Sequence, residues 1–197
     1  MNLPNKLTVM RICLIPIILL IAIFPYAQFN IDVPVLEVGH VGVSYVNIAM
    51  LVLFLIASIT DFLDGFIARK YNLITTFGKF ADPIADKLLV TSMFILFASK
   101  GIIPVVPVIL MVARDTIVDM CRMLASTNGV VVAAGFMGKL KTVLQMVTIS
   151  VILLSNLPFE LYRIPFADVM LWFTTCISVA SGLDYFNQLK EYIFESK

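Results

Sequence analysis

Asp61 and Asp64 stand three residues apart, and Asp82 and Asp86 stand four apart. On a helix each of these spacings puts both side chains on one face. The connector between the two segments is short, so their helices should be antiparallel neighbours, and four carboxylates then face a common space. Such a cluster is strongly repulsive unless cations neutralise it, and oxygen-only donors select hard ions, Mg²⁺ or Mn²⁺ before Zn²⁺. Gly65, Ala68 and Gly78 share the acidic faces and leave room for a bulky ligand to reach the backbone. Arg69 adds a fixed positive fork suited to phosphate. Carboxylate-held metal beside a phosphate-binding cation suits the chemistry of phosphate esters.

A second group of residues carries the opposite charge. Arg114 and Arg122 lie eight apart, roughly on one helix face, and Lys139 and Lys141 open the next apolar stretch. Together they read as a site for an anionic group such as a phosphate. The competing reading is ordinary flanking charge, or pairing with Asp115 and Asp119. His40 is the only histidine and sits in a loop, where it reads as a surface residue. Cys13, Cys121 and Cys176 are isolated and read as packing residues.

The elements that position these residues must be membrane helices. Of 197 residues 60% are hydrophobic and 14% charged, with a mean hydropathy of +1.00, too little polar surface for a soluble domain of this size. Apolar stretches at roughly 8–25, 45–68, 79–99, 103–125, 137–156 and 164–188 are each near the ~20 residues a bilayer requires. The fold expected is therefore all-α, a polytopic membrane protein with six transmembrane helices in one domain spanning 1–197. A short interfacial helix should precede the first span, with Asn5 as its cap. Six spans place both termini on one side with Lys6, Arg11, Arg69, Lys70, Lys79, Lys139, Lys141, Lys190 and Lys197, against Lys100 and Arg163 opposite. The positive-inside rule makes that side cytoplasmic, at the cell membrane. The acids gather near the same side.

From Asp61 to Asp86 the sequence reads Asp-x2-Asp-Gly-x2-Ala-Arg-x8-Gly-x3-Asp-x3-Asp, with every gap kept. In this it resembles the CDP-alcohol phosphotransferases. The resemblance implies that Asp61, Asp64 and Asp82 are metal ligands and that Asp86 closes the metal site. Asp86 is also the family's general base, so its role is base, ligand or both. Gly65, Ala68, Arg69, Thr75 and Gly78 would line the CDP group, and Asn5 and Thr8 would meet the nucleotide or pyrophosphate. A homodimer is implied too, and nucleic acid is not expected as a partner.

Gly138-Lys139-Leu140-Lys141-Thr142, the Arg114-Asp115 pair and Asn5-x2-Thr8 resemble the bacterial branch that uses CDP-diacylglycerol and glycerol 3-phosphate. Asp115 stands where glutamate is commoner. In that branch Arg114, Arg122, Lys139 and Lys141 would hold the acceptor phosphate. Phosphatidylglycerol, an inositol phosphate and serine remain open as acceptors, although serine does not call for so many cations. A Mg²⁺ transporter is the alternative of another class, but its acids should run through the bilayer depth.

Overall fold

The computed structural model describes residues 2–71, 75–127 and 135–194. They are mostly helical: α1 (Leu3–Ile23), α2 (Tyr45–Lys70), α3 (Thr76–Ser99), α4 (Val105–Thr127), α5 (Phe136–Leu153) and α6 (Phe166–Phe194). Asn2, with extended backbone, precedes α1, and Pro4 falls in its first turn, where a missing N–H costs nothing. No separate interfacial helix forms, because residues 3–23 are one helix. Asn5 is therefore not a cap. It lies inside α1 on the face that continues through Thr8, Arg11, Ile15, Ile18 and Ala22, all buried.

The connector after α1 holds a 3₁₀ turn, Tyr26–Phe29, and a hairpin of β1 (Val35–Val38) with β2 (Val41–Ser44). Gly39, at φ +65°, provides the left-handed turn residue a two-residue hairpin loop needs. Ser44 ends the hairpin and caps α2, its hydroxyl accepting from the Val46 N–H at 3.2 Å. His40 is exposed, as expected, and contacts the Glu160 carbonyl oxygen at 3.2 Å.

Among the described residues, four helical stretches are long and apolar enough to cross a bilayer: Pro4–Ile23, Tyr45–Ile67, Phe136–Leu153 and Phe166–Gln188. Leu20, Ile23, Phe62, Val143 and Phe173 stand exposed on them. Such outward faces suit lipid rather than water, and the protein is a membrane protein. The other two expected spans, α3 and α4, are long enough but carry more charge: Lys79, Asp82, Asp86 and Lys87 on one, Arg114, Asp115, Asp119 and Arg122 on the other. An ionised side chain at mid-bilayer costs about 2.5–3.5 kcal/mol, so charge separates these helices from the other four.

The chain divides into two compact units, the first running to Leu96 with Ile149–Pro165, the second comprising Phe97–Thr148 and the chain from Phe166. In the first, α1 packs on α2, and Ile18, Met50, Phe54, Ala57, Leu89 and Met93 are buried. In the second, α4 packs on α6, and Met111, Val118, Cys121 and Leu171 are buried. Cys13 and Cys176 are exposed, so of the three cysteines only Cys121 is a core packing residue. A polar seam accompanies the second core: Thr148 and Thr174 hydroxyls meet at 2.9 Å, and Gln145, Ser178 and Ser181 are buried nearby in sequence. Hydroxyl and amide groups bond helices together where apolar packing against lipid gives no preference.

Candidate active site

Asn5, Thr8 and Arg11 follow one another at three-residue steps along α1, and each reaches a different part of the aspartate motif. The Thr75 hydroxyl donates to Asn5 Oδ1 at 2.8 Å and accepts from the Gly78 N–H at 3.1 Å, fixing the start of α3. Thr8 donates to Asp82 Oδ1 at 2.5 Å, with the Pro4 carbonyl oxygen a second neighbour at 3.2 Å. Arg11 is fully buried and divides its fork between two acids, Nη1 donating to Asp61 Oδ1 and Nη2 to Asp64 Oδ2. A Cβ on Gly78 would stand 3.4 Å from oxygens of Asn5, Asp82 and Thr75, so a bare Cα there leaves these polar groups a shared gap.

The first unit thus brings Asn5, Thr8, Thr75, Gly78, Asp61, Asp64 and Asp82 together. Asp61 and Asp82 both lie close enough to Asp64 for their charges to repel it. Asp86 is half-buried one turn beyond Asp82, and Gly65 is half-buried beside Asp64 on α2. The side chains of Ala68 and Arg69 lie outside the described residues. Among the described residues no three acidic, histidine or cysteine side chains converge as a ready metal-binding group. Of the four acids expected to cluster, Arg11 takes Asp61 and Asp64 while Thr8 holds Asp82. The donor set still fits a hard divalent ion: it offers carboxylate and hydroxyl oxygens, and the Arg11 guanidinium already seats positive charge between two of the acids.

The cations expected to bind phosphate lie in the second unit. Arg114 uses its whole fork, with Nε donating to the Ser178 carbonyl oxygen (3.1 Å), Nη1 to Asp115 Oδ1 (2.8 Å) and Nη2 to Ser181 Oγ (2.6 Å). Lys141 is buried and donates to both Asp115 oxygens, at 2.5 and 2.7 Å. Pairing with Asp115, the competing reading of these two cations, is therefore present. Gly182 makes room for Arg114, since a Cβ there would meet Arg114 Cγ at 2.8 Å. Arg122 lies with its guanidinium carbon 4.7 Å from the Tyr185 ring centre and donates to the Tyr185 hydroxyl at 2.6 Å. The Gly135 N–H donates to that same oxygen at 2.8 Å. Lys139 is exposed and points away from Lys141, as residues two apart on a helix do.

Arg11, Asp115, Ser181, Gly182 and Tyr185 were not expected as site residues from the sequence. For Arg11 a signal existed, because it continues the Asn5–Thr8 spacing into an apolar stretch where an arginine is costly. Asp115 was visible as a partner for the cations and as half of the Arg114-Asp115 pair, but not as a site residue. Ser181, Gly182 and Tyr185 gave no local signal, since only the pairing of α6 with α4 sets them beside the arginines.

The sequence matches the CDP-alcohol phosphatidyltransferase family over residues 1–180. It is 45% identical over 187 residues to the CDP-diacylglycerol–glycerol-3-phosphate 3-phosphatidyltransferase of Bacillus subtilis, covering 95% of this chain and 94% of that one. It is 37% identical over 192 residues to the protein of the same name from Rickettsia bellii, covering 97% of each. The namesake from Salmonella choleraesuis is 33% identical over 153 residues, 76% of this chain and 75% of its own length. The chain belongs to the CDP-alcohol phosphatidyltransferase family.

Proposed function

We propose that this enzyme transfers the phosphatidyl group of CDP-diacylglycerol to glycerol 3-phosphate, giving phosphatidylglycerophosphate and CMP. The observation that carries the choice of acceptor is the Arg114–Asp115–Lys141 group, two cations kept inside the protein where flanking charge would sit outside. The names of the relatives agree with it.

In this reading the donor binds in the first unit. Asn5, Thr8, Gly65, Ala68, Arg69, Thr75 and Gly78 line the CDP group, and Gly78 admits it close to the backbone. Asp61, Asp64, Asp82 and Asp86 would hold divalent ions, Mg²⁺ or Mn²⁺. When bound, these supply charge neutralisation at the pyrophosphate and a better leaving group in CMP. Arg114, Arg122 and Lys141, with Lys139 at the exposed margin, hold the acceptor's phosphate. The acceptor hydroxyl oxygen bonds to the phosphorus that carries diacylglycerol, and its proton passes to Asp86. The bond from that phosphorus to the bridging oxygen breaks, and CMP departs with the bridging oxygen.

Residues 1–197 then form one catalytic membrane domain, with α3 and α4 completing six spans, the termini and site facing the cytoplasm, and two copies forming a homodimer. The diacylglycerol tails stay in lipid. The test is CMP release from CDP-diacylglycerol by the reconstituted protein, offered glycerol 3-phosphate, phosphatidylglycerol, an inositol phosphate or serine. Release with glycerol 3-phosphate alone is expected. Preference for another alcohol overturns the acceptor assignment, and metal flux into vesicles without CMP release overturns the enzyme assignment.

A further inference from the structure

Arg11 is the one residue of the first site that neither the aspartate motif nor the proposed reaction uses. Its fork does not clasp a single carboxylate through both terminal nitrogens, the usual bidentate arrangement. It reaches a different acid with each, and so spaces Asp61 and Asp64 at its own width. The guanidinium is 0% exposed, Asp64 2% and Asp61 30%, so the trio is sealed from inside and open at Asp61. Arg11 Nε is buried and has no hydrogen-bond partner among the described residues. Arg122 Nε is in the same condition, so what sets Arg11 apart is the aim of its two terminal nitrogens at two different acids.

We propose that Arg11 is a built-in counter-cation: it holds Asp61 and Asp64 in register while no divalent ion is bound and competes with that ion for them, which sets the cation affinity of the site. The proposal rests on reading these aspartates as metal ligands. Without Arg11, two acids in an apolar surrounding would repel one another and the cation-free protein would loosen. With Arg11 in place, an arriving ion meets a like charge and binds more weakly than the acids alone would allow. The α1 face is suited to this, since Thr8 holds Asp82 one turn away and keeps the third acid in place as the first two are exchanged.

The experiment uses the full chain in nanodiscs, with Mn²⁺ binding followed by electron paramagnetic resonance and thermal unfolding measured in chelator and in excess Mn²⁺. Arg11→Met keeps length and apolar bulk but no charge. Its Kd for Mn²⁺ should fall about tenfold below wild type. Its unfolding midpoint should drop in chelator and recover with Mn²⁺ by more than wild type gains. Arg11→Lys keeps the charge but cannot span two acids as a fixed fork, and its Kd should lie between the two. An Arg11→Met protein that binds Mn²⁺ no more tightly than wild type overturns the proposal. Should Arg11→Met not fold, Arg11→Lys decides alone, and a Kd at or above wild type overturns it. A wild-type protein that binds no Mn²⁺, or whose binding survives Asp64→Asn, overturns the metal-site reading and this proposal with it. Tight, Asp64-dependent binding that Arg11 variants leave unchanged overturns this proposal alone.

Discussion

In the first unit two carboxylates, Asp61 and Asp64, flank one guanidinium; in the second a guanidinium and an ammonium, Arg114 and Lys141, flank one carboxylate. The two groups have the same plan with the signs reversed. Charge kept within apolar helices must be neutralised locally, so each site stores its charges with a counter-charge in the middle. A ligand of that middle charge's sign, a cation at Asp61 and Asp64 or an anion at Arg114 and Lys141, has to displace or share it. The groups differ in how completely they are satisfied. Arg114 has a partner for each of its three nitrogens, whereas Arg11 Nε, like Arg122 Nε beside the second group, has none among the described residues. On the proposed function, the second group presents a phosphate with donors already fixed in place, and the first exchanges one cation for another.

The largest expected effect comes from removing an acid of the first group. Asp64→Asn keeps the volume but takes away a charge from any bound ion and from Arg11. Turnover should fall at least about a hundredfold, close to 3 kcal/mol of barrier. Asp61→Asn and Asp82→Asn should behave alike. CMP release at saturating substrates is the measure, and full turnover by any folded variant removes that acid from the site.

Next come the cations of the second group. A charge-assisted contact contributes about 1.5–3 kcal/mol, so Arg114→Ala and Lys141→Ala should each raise the KM for glycerol 3-phosphate by about ten- to a hundredfold. The KM for CDP-diacylglycerol should stay close to wild type. Varying each substrate separately checks this, and acceptor kinetics left untouched by both substitutions would break the comparison at its second half.

Much of the first group was legible in the sequence because its chemistry is local. Asp61, Asp64, Gly78 and Asp82 are set by spacing along two consecutive helices, and helical period alone predicts their shared faces. Arg11 was the exception, legible as a charge but not as a partner, because its contacts span fifty residues of chain. The second group was only half legible. Arg114 and Lys141 were recognisable as cations in apolar stretches, but Ser181, Gly182 and Tyr185 acquire meaning only when α6 packs on α4. The membrane character was plain from composition, while the charges on α3 and α4 left those two helices less distinct as spans than the others.

Gly182→Ala tests whether Arg114 depends on its seat rather than on its charge. The added methyl would lie 2.8 Å from Arg114 Cγ, too close for either to stay where it is. The guanidinium must then shift off Ser178 and Ser181, although every charged group remains. The KM for glycerol 3-phosphate should rise about tenfold, near the lower end expected for Arg114→Ala, because one charge-assisted contact is misplaced rather than removed. An unchanged KM would show that the side chain has freedom its three bonds do not suggest.

The smallest effect should follow Tyr185→Phe. The ring remains, so Arg122 keeps its stacking partner at 4.7 Å and Arg114 its more distant one at 5.7 Å. What disappears is an oxygen that accepts from Arg122 at 2.6 Å and from the Gly135 N–H at 2.8 Å. One bond orients a cation of the acceptor group, and the other ties the entry of α5, which carries Lys141, to α6. Losing the first should raise the KM for glycerol 3-phosphate about two- to fivefold with kcat near wild type, since on the proposed function Arg114 and Lys141 still hold the phosphate. Losing the second should lower the unfolding midpoint slightly, a neutral hydrogen bond contributing about 0.5–1.5 kcal/mol. With the ions held by the aspartates of the first unit, as proposed, Mn²⁺ affinity should not move. A KM effect larger than that of Gly182→Ala would mean that the Tyr185 hydroxyl itself touches the acceptor, making the second site a hydroxyl-lined pocket as much as a pair of cations about one acid.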